Sequence, residues 1–303
     1  MRRMLGRSLV ELMISIAIGL VILTAVSALF VSNNSSAKVS DDKSRLEEDG
    51  RLALYLLAFH LRMAGYGTLL DANPSRDVSQ AKTTFEQAAM AAGGVEAIEG
   101  CTGGFTDPMA IPVSCDDKAT SDAVIVRYFA DNNNANNTAA NLPADCLGQG
   151  VILSPALIES RFYLAVNPNT QASELYCSGN GGTAANATSF TAPPQPMVEN
   201  VTDMRISYGY DSDGDQSVNG FYTAAQLRDP KIVPPPSASE TTWSRVVSVK
   251  VCLIMQSAND NVVLAAQTYR DCDGGLVTAT DRRLHSVFST VVTLRGRATG
   301  SAL

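Results

Sequence analysis

The sequence predicts an α+β chain in which one long N-terminal α-helix, its first half transmembrane, packs on an antiparallel β-sheet globular domain. Three observations predict it. Residues 12–31 carry no charge, and only Ser15, Gly19, Thr24 and Ser27 among them are not strongly apolar. A run of about 20 residues at ~1.5 Å each spans ~30 Å, the thickness of one bilayer core. Leu46, Gly50, Ala53, Leu57, Leu61 and Ala64 then recur every three or four residues, the spacing of one helix face. Further on, Val247, Val249, Val251 and Leu253 alternate with Ser248, Lys250 and Cys252, the period of a strand with one buried side.

The elements follow in chain order. Arg2, Arg3 and Arg7 precede the apolar run, so the positive-inside rule puts that end in the cytoplasm and the bulk of the chain beyond the inner membrane. A cleaved secretory signal would have a shorter apolar stretch and a small-x-small site, which Phe30-Val31-Ser32-Asn33-Asn34 does not supply. Glu11 stands at the mouth of the run, where a carboxylate either snorkels to the headgroups or needs a cation. Residues 40–65 lack proline, so the helix is expected to continue to Gly65, with the polar stretch 32–36 as a loosened or kinked zone. Ser15-x-x-x-Gly19 is a small-residue pair that lets another helix come close.

From residue 66 to 303 a globular, β-rich domain is expected. Residues 68–121 read as a long loop with one short helix near 84–92. Strands are expected over 123–129, 160–166, 174–177, 198–210, 244–255 and 287–295, forming one sheet or two. Residues 131–141 form a solvated loop, and Pro193-Pro194-Gln195-Pro196 and Pro234-Pro235-Pro236 are stiff connectors. With 303 residues, 45% of them hydrophobic and 17% charged, collagen, coiled-coil and disordered classes are excluded. A net charge of −7 disfavours nucleic acid as a partner.

Gly6-Arg7-Ser8-Leu9-Val10-Glu11-Leu12-Met13 resembles the processing signal of type IV pilins and type II secretion pseudopilins. The resemblance implies a leader of residues 1–6, cleavage by a prepilin peptidase between Gly6 and Arg7, methylation of the new N-terminus, and a mature helix over 7–65 with its transmembrane part at 9–31. Arg7 departs from the phenylalanine usual in that family. Glu11 becomes the fifth mature residue, which the family pairs with the α-amine of a neighbouring subunit. It also implies a lollipop shape.

Arg45-Leu46-Glu47-Glu48-Asp49-Gly50-Arg51-Leu52-Ala53-Leu54, Leu61-Arg62-Met63-Ala64-Gly65-Tyr66 and the closing stretch from Arg282-Arg283-Leu284 to Arg297 are similar to minor pilins of the PilW type. That similarity implies a role in starting a type IV pilus, in a tip or priming complex. The implied partners are other minor pilins, the major pilin, a pilus-associated tip adhesin and prepilin peptidase. The J-type minor pseudopilin of type II secretion and a membrane-anchored adhesive or cation-binding module are the alternatives.

Cys101, Cys115, Cys146, Cys177, Cys252 and Cys272 all lie beyond the membrane segment, which fits an oxidising compartment. Six cysteines allow ~15 pairings. The sequential one, 101 to 115, 146 to 177 and 252 to 272, is favoured because each pair brackets a loop; a zinc site is the alternative. Asp211, Asp213, Asp215, Ser217 and Asn219 place oxygens at alternating positions, as in a calcium loop. Gln216 replaces the glycine of that loop and Tyr222 its closing glutamate, so an Asp-Gly turn is the competing reading. No required cofactor is expected. No metalloprotease, P-loop, nucleophile-elbow or dinucleotide motif occurs, so an enzyme is not expected. His60 and His285 read as packing or surface residues.

Overall fold

The computed structural model describes residues 9–67, 83–85, 89, 94–130, 138, 140, 142–151, 156–182, 190–237 and 240–297. Helix α1 (Leu9–Met63) runs unbroken for 55 residues. The stretch 32–36 stays α-helical, against the expected kink, because it holds neither proline nor glycine and each N–H keeps a carbonyl four residues back. The helix stops just short of the expected end. Gly65 takes a left-handed conformation (φ 72°) that only glycine adopts cheaply, and its N–H donates to the Arg127 carbonyl at 2.9 Å.

Burial changes abruptly along α1. The membrane-length run is exposed, whereas Leu46, Gly50, Ala53, Leu57 and Leu61 turn inward, the stripe that the spacing predicts. Gly50 is where the helix meets the sheet: a Cβ there would overlap the Phe288 ring.

Strands follow in the order β1 (Ile98–Cys101), β2 (Gly104–Phe105), β3 (Cys115–Asp116), β4 (Ala123–Ala130), β5 (Ala156–Val166), β6 (Ser173–Gly179), β7 (Gln195–Val198), β8 (Val201–Tyr210), β9 (Gly220–Tyr222), β10 (Val246–Gln256), β11 (Thr268–Arg270), β12 (Leu276–Thr278) and β13 (His285–Thr293). A five-stranded sheet has the order β1-β4-β5-β6-β7 and a four-stranded sheet the order β13-β10-β8-β9; β2 with β3 and β11 with β12 form small ribbons. All pairings are antiparallel. The main core lies between α1 and both larger sheets, centred on Leu57, Leu61, Phe162, Met204, Val251 and Leu253.

Several expectations are corrected here. The supposed loop 68–121 contains β1, β2 and β3, which are too short to show a period. The short helix near 84–92 falls largely outside the described residues; of it Thr84, Phe85 and Ala89 are described, and they are helical. The expected strand 198–210 is two strands, because Asn200 takes φ 60° and turns the chain between β7 and β8. Pro196 is not a connector but lies in edge strand β7, the kind of strand in which proline is tolerated. Residues 242–245 form a 3₁₀ turn, so β10 begins later than expected, and β13 is shifted two residues towards the N-terminus. The chain closes back on α1: the missing side chain of Gly296 would sit 2.6 Å from the Ala64 carbonyl oxygen.

His60 seats α1 against β5. Its ring is buried, 5.1 Å from Phe162 and 5.2 Å from Phe59. Burial pushes the imidazole down to about 4. The unfolded chain takes up that proton near ~6.5. Between the two values the unfolded state holds more protons, so stability is lost as pH falls from about 6.5 to about 4, by up to ~3 kcal/mol. Thermal midpoints measured across that window should fall less steeply for His60→Gln than for the parent chain. Equal slopes would contradict the assignment.

Candidate functional site on the long helix and its head

Glu11 stands in the first turn of α1, where the positive end of the helix dipole favours a carboxylate, and it is exposed. The Ser15 hydroxyl donates to the Glu11 carbonyl at 2.8 Å, so its polarity is satisfied within the helix. One turn on, nothing lies within 4 Å of where a Gly19 Cβ would be. Ser15 and Gly19 thus leave a low strip on which a second helix can lie close. Gly6 and Arg7 lie outside the described residues. The large side chains of this half are bare: Leu9 is 76% exposed, Val21 67% and Phe30 71%. Among the described residues α1 is the one helix long and apolar enough to cross a membrane. Such a surface requires lipid or other apolar helices to cover it.

The six cysteines pair sequentially, as expected from the loops that they bracket. Cys101–Cys115, Cys146–Cys177 and Cys252–Cys272 have Cα separations of 5.3, 6.5 and 5.8 Å. No free thiol remains to hold zinc.

A buried charge network escapes the sequence reading. Arg127 on β4 lies opposite Glu159 on β5. Glu159 accepts from Arg127 Nε at 2.7 Å and from Arg161 Nε at 2.6 Å, while Arg127 Nη1 also reaches Glu99 at 2.5 Å. Burial pulls Arg127 down, but Glu159 and Glu99 outweigh it and the net direction is up. Arg161 is lowered, because its burial is only partly offset by Glu159. Arg161 Nη1 donates to the carbonyls of Pro108 and Ala110, both at 2.8 Å, and so ties the segment after β2 to the sheet. Removing one member of a buried ion pair costs about 3–5 kcal/mol, since it strands the other charge. Asp122 has a similar structural part. It accepts the N–H groups of Gly103 (3.2 Å) and Ile206 (2.8 Å), bridging the two sheets, and burial raises its pKa against those bonds. The available signal was opposite charges inside otherwise apolar strands.

The segment from Asp211 to Asn219 links β8 to β9. Ligand oxygens of Asp211, Asp213 and Asp215 lie within 4.8 Å of one another. The Asp211 carboxylate accepts the N–H groups of Gly214 (2.6 Å) and Gln216 (2.8 Å). Burial raises its pKa, but those N–H donors outweigh burial and the net direction is down. Asp215 accepts the hydroxyl and the N–H of Ser217, at 2.6 and 2.8 Å, and these lower its pKa. Asn219 Oδ1 accepts the Ser212 N–H at 2.7 Å. Gln216 has φ 67°, so it supplies the left-handed turn for which a calcium loop uses glycine. Tyr222 pairs with Tyr208 in the sheet and brings no carboxylate.

The long N-terminal helix is thus apolar and exposed over its first half, and its second half packs on antiparallel sheet. Residues 161–296 match the family model of the Type IV Pilus-assembly protein W, PilW. The match bears out, over the C-terminal segment, the resemblance carried by the closing block of the sequence. A type IV-like pilin from Thermus thermophilus is similar at 14% identity with a TM-score of 0.33, over 59% of this chain and 80% of that one. No curated protein matches.

Calcium at the Asp211 loop remains a proposal, in the ~10⁻⁴–10⁻³ M class of extracellular sites. Binding to the folded state alone raises stability by mass action. The thermal midpoint in millimolar calcium is therefore expected to exceed that in chelator, and Asp213→Asn to abolish the difference. Equal midpoints for the parent chain would assign the loop to a plain turn.

Proposed function

We propose that this chain is a minor pilin that helps to initiate a type IV pilus, in a tip or priming complex with other minor pilins, the major pilin and a tip adhesin. The observation that carries the reading is the division of α1: a membrane-length apolar half left exposed among the described residues, joined to a head matched in part by a pilus-assembly family. Before assembly, lipid covers the uncovered half; in the filament, neighbouring helices do so. Prepilin peptidase cleaves between Gly6 and Arg7 and methylates the new terminus, and the inner membrane holds the subunit with its head on the outer side.

Glu11 then acts as a register device. An unpaired carboxylate moved from water into an apolar helix bundle is heavily penalised, and a neighbouring subunit's α-amine relieves that penalty in one register only. The exposed strip of Ser15 and Gly19 admits that neighbour.

The intact mass of membrane-extracted protein, expressed with and without prepilin peptidase, tests the processing. Loss of residues 1–6 and gain of one methyl group is expected only with the peptidase, and an unprocessed chain in both cases would overturn that step. Glu11→Ala should be cleaved normally yet reduce pilus number; undiminished pili would contradict the register argument. A loss of protein secretion with pili intact would assign the chain to a secretion pseudopilus instead.

A further inference from the structure

We infer that the loop between β10 and β11 is a second membrane contact, its tip residue Leu264 seated in the headgroup layer beside α1 on the side of the globular domain. The inference rests on reading residues 12–31 as the membrane span. Leu264 is 96% exposed, and no other large apolar side chain among the described residues is more so. Ala265 and Ala266 after it are exposed as well, while Val262 and Val263 before it are half-buried. The loop therefore offers a short apolar tip flanked by Asp260, Asn261 and Gln267.

Placement says what covers that tip. Leu264 shares a groove with Ser27, Ala28, Val31, Ser32 and Ser35 of α1. Those residues straddle the point where the charge-free run gives way to Ser32-Asn33-Asn34. With the run in hydrocarbon, whatever lies beside Val31 and Ser32 is at the depth of the headgroups, a layer that accepts apolar side chains between polar flanks. The contact with lipid thus continues the surface of the span itself.

The loop is held in that position. Asn259 Nδ2 donates to the buried Asp42 carboxylate at 2.7 Å, which pins the loop's start to α1. Asp42 and Val31 are ~16 Å apart along the axis at ~1.5 Å per residue. Asn259 to Val262 line one groove with Ser35, Lys38 and Asp41, and Leu264 lines the next with Ser27 and Val31, so the loop runs along the helix towards the span. The N–H groups of Val262 and Val263 donate to the Arg282 carbonyl at 2.9 and 3.1 Å, and Cys252–Cys272 ties the segment after the loop to β10. Lys38 faces Asp41, Asp42 and Asp260 around the neighbouring groove, so the charge there is net negative. The contact is therefore apolar, and zwitterionic lipid suffices.

The test places one environment-sensitive fluorophore on the full chain, at Leu264→Cys or, as control, at Phe221→Cys. All six native cysteines are paired, so the new thiol alone is labelled. Phe221 is exposed on β9, level with the start of β10 across β8 and so at the end of that strand away from the loop. In phosphatidylcholine nanodiscs holding one chain each, the label at 264 is expected to emit to the blue of the control. It should also be quenched by a nitroxide near the lipid headgroup and lose most of its quenching by iodide. An aqueous spectrum and full iodide quenching at 264, in a chain that co-floats with the nanodisc lipid, would overturn the loop contact while leaving the span intact. A chain that does not associate with lipid would overturn the span and the loop together. A blue shift that arises only when several chains share a vesicle would assign the tip to a neighbouring copy and overturn the lipid contact.

Discussion

Everything in this molecule depends on an asymmetry of cover along one helix. The second half of α1 has its partner in its own chain, because Leu46, Ala53, Leu57 and Leu61 face two sheets. The first half carries side chains as apolar as those of the core and, among the described residues, meets no sheet. Water is a poor neighbour for that surface, so the folded chain is incomplete until lipid or other helices surround it. A helix built this way can be covered by lipid or by other helices, and the proposed move of a subunit from membrane to filament uses both.

The head is arranged to keep its end of the helix fixed. Gly50 lets Phe288 close over the helix, and Gly296 lets the chain end lie against the residues that terminate it. His60 wedges between aromatic rings, and the Arg127–Glu159–Arg161 network holds irregular segments onto the five-stranded sheet. Three disulfides tie β1 to β3, β6 to the segment before β5, and β10 to the segment after β11. Together these fix the second half of α1 against the head. In the Asp211 loop, backbone N–H groups already satisfy much of the clustered negative charge.

Much of this could be read from the residues. The helix stripe was legible because the three-and-four spacing from Leu46 to Ala64 extends over five turns, and β10 because its alternation is long. The disulfides followed from loops that each pair brackets. What failed had a local cause: β2 and β3 are two residues each and carry no period, and Asn200 breaks a strand without glycine or proline to announce it. Residues 32–36 looked loose by polarity, yet polarity alone does not break a helix when every backbone bond remains. The charge network stayed hidden because Arg127 and Glu159 become neighbours only through strand register. The position of Leu264 beside Val31 likewise belongs to the tertiary fold. Glu11 was visible at once, since a carboxylate at the edge of an uncharged run stands out without any structure.

The central claim is that the two halves of α1 are energetically separate, the first stabilised from outside the chain and the second from within. The most direct measurement is the thermal unfolding of a chain lacking residues 1–31, compared with the full chain in lipid. The account predicts a water-soluble monomer that unfolds cooperatively at an unchanged midpoint, with its disulfides intact. A truncated chain that aggregates, or that melts well below the full chain, would show that the first half also holds the head together, and would contradict the account.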